Sequence, residues 1–359
     1  MGDVVEKIGD GLSNAFLMAW EVWWALVLGF AISAVVQALV PRERIEASLA
    51  GGGAGPVARA TLFGAASSSC SYAAIAIAKS LFQKGASAVS ALAFQFASTN
   101  LVWELGLVLW VLLGWQFTLA EFAGGLVLIV LMALLLRVFV SQRAEEEARE
   151  HARAAQPGHQ HESGSSLVAV AHNFRSDWRM LWKEIGIGFL LAGFIALLGD
   201  DFFNGLFASD APAAVQTLQN VVVGPLIAVL SFVCSVGNIP LAAVLWSGGI
   251  SFAGVIAFIF ADLIVIPIVL AYRKYYGLGF ALRITALMFV TMVLAALAID
   301  LSFSVLGLIP DTRPSTEDLF GQIELDYKLV LNAVATIAFV VLWALTLRGE
   351  RPEAACAMH

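Results

Sequence analysis

Charge is what this chain lacks most. Only 13% of its 359 residues are Asp, Glu, Lys or Arg, while 60% are hydrophobic and the mean hydropathy is +0.86. A soluble domain carries about 25% charged residues, so water is excluded as the main solvent. Apolar runs of about twenty residues recur, the length that crosses a bilayer. The net charge of −7 gives no hint of nucleic acid as a partner. Cysteine is scarce too, at three residues without the paired spacing of a disulfide-stapled secreted fold. There is no Cys-x-x-Cys, no His-Glu-x-x-His and no histidine in any apolar run. An intramembrane thiol enzyme or metal hydrolase would therefore lack its parts, and no metal or cofactor is expected. Gly51 to Pro56 is glycine-rich, yet no Gly-Lys-Ser/Thr follows, which excludes a P-loop and a self-contained ATP-driven pump. The stretch from Asn14 to Val40 is too long for a signal-peptide core and has no cleavage site, so it reads as a spanning helix.

What the chain does have is one motif written twice in apolar sequence. CSYAAIAIAKSLFQKGASAVSALAFQFA runs from Cys70 to Ala97, and CSVGNIPLAAVLWSGGISFAGVIAFIFA from Cys234 to Ala261. The offset of 164 residues between them also pairs Ser71 with Ser235, Gly85 with Gly249, Ser87 with Ser251 and Phe94 with Phe258. Run backwards, it pairs Gly29-Phe30 with Gly193-Phe194. Two halves, each with a polar, helix-breaking motif at membrane depth, are a common build for secondary transporters.

Hydropathy places spans at Asn14–Val40, Ser87–Leu113, Leu119–Val140, Met180–Leu198, Ile250–Tyr272, Phe280–Leu301 and Lys328–Leu347. The motifs fall in two further segments, Val57–Phe82 and Val215–Ser247. Ser141–Asp177 is a polar linker holding four of the five histidines, and Pro310–Asp326 is a second polar loop. With the basic linker in the cytoplasm, full crossings by both motif segments would put Arg42, Arg44, Arg273 and Lys274 outside. If each segment instead enters and returns on one side, these residues fall inside with Arg59, Lys79, Lys84, Arg348 and Arg351. The loops Gly199–Ala214 and Ser302–Asp326 then hold a single basic residue, Arg313. The second arrangement fits the positive-inside rule. The expected fold is an all-α integral membrane protein of two inverted-topology repeats, with about seven full spans and two re-entrant segments; hydropathy alone would accept eight or nine spans. The domains read as a first repeat (1–140), a cytoplasmic linker (141–177), a second repeat (178–305) and a loop, last helix and tail (306–359).

The first motif opens Ser67-Ser68-Ser69-Cys70-Ser71, hydroxyls and a thiol where helix hydrogen bonding is interrupted. The second reads Cys234-Ser235-Val236-Gly237-Asn238-Ile239-Pro240, with Gly237 permitting positive φ and Pro240 removing a donor. Irregular backbone at membrane depth must line a cavity or be buried in protein. Two half-helix ends meeting near the bilayer centre are expected, with free N–H groups that favour an anion or an electron-rich ligand. Ala76 stands where the second copy has Pro240, predicting a softer break in the first.

The motifs CSVGNIPLAAVLWSGG and CSYAAIAIAKSLFQKGAS resemble those of the YraQ/ArsP-type bacterial permeases, over both halves from about Leu26 to Tyr272 and including the charged linker. The resemblance implies a permease of the bacterial inner (cytoplasmic) membrane. In that family the motif often reads Cys-Ser-Cys-Gly with a nearby proline, and some members export trivalent organoarsenicals. Here Tyr72 and Val236 stand where a second cysteine often falls.

From the residues themselves, Cys70 and Cys234 would suit a soft, thiophilic centre if the halves bring them together; the other reading is two small hydrophobes filling a helix contact. Ser69, Ser71, Ser235, Gly237, Asn238 and Pro240 complete the candidate binding region. Asp262, in IAFIFADLIVIPIV, is the leading coupling candidate, since a charge at mid-bilayer costs about 2.5–3.5 kcal/mol even on lenient scales. The other reading for it is a structural pair with Lys79 or a serine cluster. Ser98 is its repeat partner, and Asn100 with Thr99 extends that polar patch, with Glu104 just beyond. Lys79 is expected to snorkel to the cytoplasmic surface. The expected partners are the lipid bilayer and a small-molecule or metalloid substrate, and assembly into a homo-oligomer stays open. Export of a metalloid by proton exchange leads, a small-anion permease using the half-helix ends is the alternative, and an intramembrane thiol enzyme ranks last because its reactive cysteine pair is missing.

Overall fold

The computed structural model describes residues 2–39, 53–67, 71–83, 85–154, 167–195, 197, 200–207, 211–231, 235–314 and 327–349. Fifteen α-helices and no strand occur among them. In chain order they are α1 (Gly2–Leu39), α2 (Ala54–Ser67), α3 (Ser71–Gln83), α4 (Ala88–Asn100), α5 (Trp103–Leu113), α6 (Trp115–Phe139), α7 (Gln142–Ala154) and α8 (Leu167–Ile195). Then follow α9 (Asp200–Phe207), α10 (Ala213–Ser231), α11 (Ser235–Ser247), α12 (Phe252–Phe260), α13 (Ile266–Tyr276), α14 (Leu278–Leu306) and α15 (Tyr327–Gly349). An all-helical answer follows from the composition: in lipid every backbone donor must be satisfied within its own segment.

Four helices among the described residues are long and apolar enough to cross a membrane: α6, α10, α14 and the Leu329–Thr346 part of α15. The count rises to six if two bent pairs each make one span, α4 with α5 (43°) and α12 with α13 (41°). The bends fall inside two stretches that hydropathy read as single spans. In the second, Pro267 enters at the start of α13 and Val265 before it is extended, so the α12 hydrogen-bond ladder cannot run on. In the first, Val102 is extended without any proline nearby. The motif segment Val215–Ser247 is two helices, α10 and α11, the former long enough to cross on its own.

The same local structure recurs at the sequence interval of the two motifs. α3 and α11 are both 13 residues long. Each is followed by a turn on a positive-φ glycine, Gly85 at 105° and Gly249 at 99°. Ser87 and Ser251 then cap α4 and α12, at φ/ψ −66°/156° and −66°/158°, by accepting from the Ser90 and Gly254 amides. The interval extends further than the sequence reading took it. Arg149 donates to the Phe82 and Ala86 carbonyls with its guanidinium 4.3 Å from the Phe82 ring centroid. Arg313 donates to the Trp246 and Ile250 carbonyls at 2.8 and 2.7 Å, with its guanidinium 3.9 Å from the Trp246 ring. Each connection therefore sends one arginine into the turn of one motif hairpin. The segment expected as a solvated linker is helical in α7 and docked in this way, with Glu145 also accepting from the Ala88 amide at 3.0 Å. α8 starts at Leu167, earlier than the expected span at Met180.

Helices meet closely where glycine allows it. A Cβ at Gly193 would strike the Gly11 backbone and Ala15, which brings α8 onto α1. A Cβ at Gly64 would strike the Phe94 backbone and Ala97, which brings α2 onto α4. α6 packs on α14, and each motif helix also touches the other half, α3 against α13 and α11 against α5. α15 is held to α1 by Asn332, which accepts from the Trp24 amide at 3.1 Å and donates to the Trp20 carbonyl at 2.8 Å.

Candidate functional site

Ser71 and Ser235 are the first residues of α3 and α11. Their hydroxyl oxygens lie 3.4 Å apart, and both donate to one carboxylate oxygen, Oδ2 of Asp262. The Ser71 bond is 2.8 Å. Asp262 sits in the 3-10 turn Ala261–Ile264 that continues α12, just before the bend at Val265, and is 0% exposed. Elements from both halves thus converge on one side chain. The convergence explains how a carboxylate is accommodated here: two hydroxyls serve it and two helix starts face it, each equivalent to roughly half a positive charge. Its second oxygen, Oδ1, has no hydrogen-bond partner.

Around this core the polar groups are buried and mostly bonded within the protein. Gln95 donates from Nε2 to the Tyr272 hydroxyl at 2.5 Å, joining α4 to α13. Ser231 donates to Asn238 Oδ1 at 3.4 Å, tying the end of α10 to the first turn of α11. Among the described residues no group of three or more His, Cys, Asp or Glu is placed to hold a metal ion.

Residues 12–301 match the predicted-permease family designated ArsP_1. The chain belongs to this family. It is 43% identical over 303 residues to the Rv2963 protein of Mycobacterium tuberculosis (strain ATCC 25618 / H37Rv), which carries a permease name; the match covers 79% of this chain and 74% of that one. It is 27% identical over 137 residues to the UPF0718 protein YraQ of Escherichia coli (strain K12), covering 38% and 40% of the two chains. No solved structure matches. The permease is thus a multi-pass helical membrane protein, as the resemblance in its motifs implied.

Several candidates in this permease stand elsewhere than expected. Ser69, Cys70 and Cys234 lie outside the described residues. Gly237 and Pro240 do not break a helix: α11 runs through both without interruption. Pro240 falls within two turns of the helix start, where its ring leaves only one carbonyl without its usual donor. With Ala76 in its place α3 has the same length, so the first copy has no softer break. Gly237 serves as a contact point instead, its backbone lying where a Cβ on Gly188 of α8 would go. Asn238 is 0% exposed, its Nδ2 without a partner. Ser98 donates to the Gln95 carbonyl of its own helix at 3.1 Å. Asn100 closes α4, donating to the Phe96 carbonyl and the Thr99 hydroxyl at 3.1 and 3.0 Å, with Oδ1 unpartnered. Glu104 is buried in the first turn of α5, and its backbone lies against Gly29 of α1. Lys79 is buried with Nζ 4.5 Å from the Tyr275 ring centroid. Of the two readings of Asp262 as a structural pair, the serine cluster is the one present.

One residue escaped the sequence reading. Glu121 in α6 is 0% exposed, and neither of its carboxylate oxygens has a hydrogen-bond partner. The signal was available, since Glu121 is the only acidic residue in the 25-residue apolar helix that carries it.

Proposed function

We propose that this permease is a secondary transporter whose two halves are inverted repeats and whose substrate passes the junction of α3, α11 and Asp262. One observation carries the reading: the motif-equivalent serines Ser71 and Ser235 touch each other and share the Asp262 carboxylate. Equivalent residues of two repeats approach closely only near the axis that relates them, and transporters bind at that midplane junction. Asp262 is the coupling residue of this proposal, exchanging a proton as the halves rock about the site in the inner membrane.

For substrate we propose a trivalent metalloid compound carried outward. Each cysteine of the motifs directly precedes one of the two meeting serines in sequence, and thiolates are the ligands such a centre prefers. A small anion held by the same helix starts is the weaker reading, because Asp262 already occupies them.

Accumulation of trivalent methylarsenite in everted vesicles tests this, comparing wild type with Cys70→Ser/Cys234→Ser and Asp262→Asn at matched expression. The proposal expects uptake in wild type and its loss in both variants. Uptake that persists without the cysteines removes the thiol role. Absence of uptake in wild type removes the metalloid, and anions should then be tried.

A further inference from the structure

Asp262 is well served by donors at Oδ2, whereas Glu121 of α6 is served at neither oxygen. Glu121 contributes two buried oxygens with no donor, Asp262 contributes Oδ1, and Asn100 contributes Oδ1. These are four buried acceptors without a donor. Their placement follows from the packing of α6. A Cβ on Gly125 would meet Asn100 and Leu101, and one on Gly124 would meet Phe260. The ends of α4 and α12 therefore abut α6 one turn beyond Glu121, on its own side of the helix. Helix ends carry partial negative charge and free carbonyls. The junction is thus polarised: two helix starts meet at Asp262, and two helix ends abut the Glu121 helix one turn further on.

The charged and titratable groups on the neighbouring elements do not balance this pair. α4, α10 and α12 carry no charged side chain. Glu104 on α5 adds a further carboxyl, and the Tyr272 hydroxyl of α13 is held by Gln95. Lys79 lies about 12 Å along α3 from Ser71, over the Tyr275 ring. Arg273 and Lys274 belong to the last turn of α13, and on α14 Arg283 is exposed while Asp300 lies two turns before the helix end.

We infer that Glu121, Asp262 and the ends of α4 and α12 form a site for one exchangeable monovalent cation, a proton or Na⁺. An oxygen-rich, donor-poor pocket at half-helix ends is the setting in which transporters hold such ions. The inference rests on the transporter reading only for the role of the ion as the driving species. Glu121 holds the ion at rest, and Asp262, the coupling residue, exchanges it at the substrate junction, where it bonds Ser71 and Ser235.

The test uses the purified full chain in lipid nanodiscs, without substrate. Infrared difference spectra report a protonated carboxyl as pH is varied, and thermal midpoints in NaCl against choline chloride report Na⁺. A proton site gives a carboxyl band that bleaches with rising pH and is lost in Glu121→Gln. A Na⁺ site gives a midpoint raised by on the order of 2–4 °C in NaCl, again lost in Glu121→Gln. Neither signal in wild type, or a signal that survives Glu121→Gln, overturns the assignment. Should that variant not fold, Glu121→Asp must shift the titration or Na⁺ midpoint, and an unmoved midpoint overturns it. Binding at equilibrium needs no transport. Binding without flux would keep this site and remove the transporter reading, while flux without binding would remove the site alone.

Discussion

The Ser71–Asp262 contact yields a number that a double-mutant cycle can check. Replacing Ser71 by Ala removes one donor, at 2.8 Å, from a carboxylate with 0% exposure. Interhelical hydrogen bonds between neutral groups in membrane proteins couple by about 0.6 kcal/mol on average and 1.7 at most. Bonds to a charged acceptor contribute about 1.5–3 kcal/mol. Two hydroxyls and two helix starts directed at one oxygen suit an anion, so the charged range applies here. The cycle of wild type, Ser71→Ala, Asp262→Ala and the double variant should give a coupling of about 1.5–3 kcal/mol, measured by unfolding in mild detergent. Ser235→Ala with Asp262→Ala should give the same within about 0.5 kcal/mol, because the two serines are placed alike. A coupling near 0.6 kcal/mol would mean a neutral acceptor. A coupling within error of zero for both serines would refute the shared carboxylate, and with it the argument that the halves meet there.

Three further perturbations follow. Arg313→Ala loses two charged-donor bonds to the Trp246 and Ile250 carbonyls and one ring contact. It should cost about 2–4 kcal/mol, and Arg313→Lys should recover less than half, because an ammonium lacks the planar fork; thermal unfolding of the three proteins checks both. Gly188→Val places a side chain against the Gly237 backbone between α8 and α11; it should destabilise by about 1–3 kcal/mol or more, whereas Gly186→Ala, with open space around it, should stay within about 0.5 kcal/mol of wild type in the same melt. Ser87→Ala and Ser251→Ala each delete a helix cap and should each cost about 1 kcal/mol, visible as faster amide exchange at the starts of α4 and α12.

Much of the fold was legible because lipid simplifies the code. Long apolar stretches lacking charge can only be helices in a membrane, so α6, α14 and α15 fell where hydropathy put them. The hairpin turns were legible too, in Gly85 and Gly249 followed by Ser87 and Ser251: positive φ and a cap are local demands that particular residue types meet. The bends within two expected spans were less visible. Pro267 announces one of them, but nothing in Asn100-Leu101-Val102 marks the other, which lies where Asn100 and Leu101 pack against Gly125 of α6. Gly237 and Pro240 misled, because α11 runs on through a proline in its second turn and a glycine in a helix can serve close packing as readily as a break.

The sequence by itself determined the solvent, the helices and the doubled motif, and it singled out Ser71, Ser235 and Asp262 as candidates, because each is written in residue type and spacing. Only the tertiary structure decided that both serines bond one carboxylate oxygen, that Arg149 and Arg313 enter matching turns, and that Glu121 is buried without a hydrogen-bond donor. Those facts depend on contacts across 191, 164 and 67 residues of chain. Periodicity reports which face a residue takes on its own helix, and has no term for what another helix brings against it.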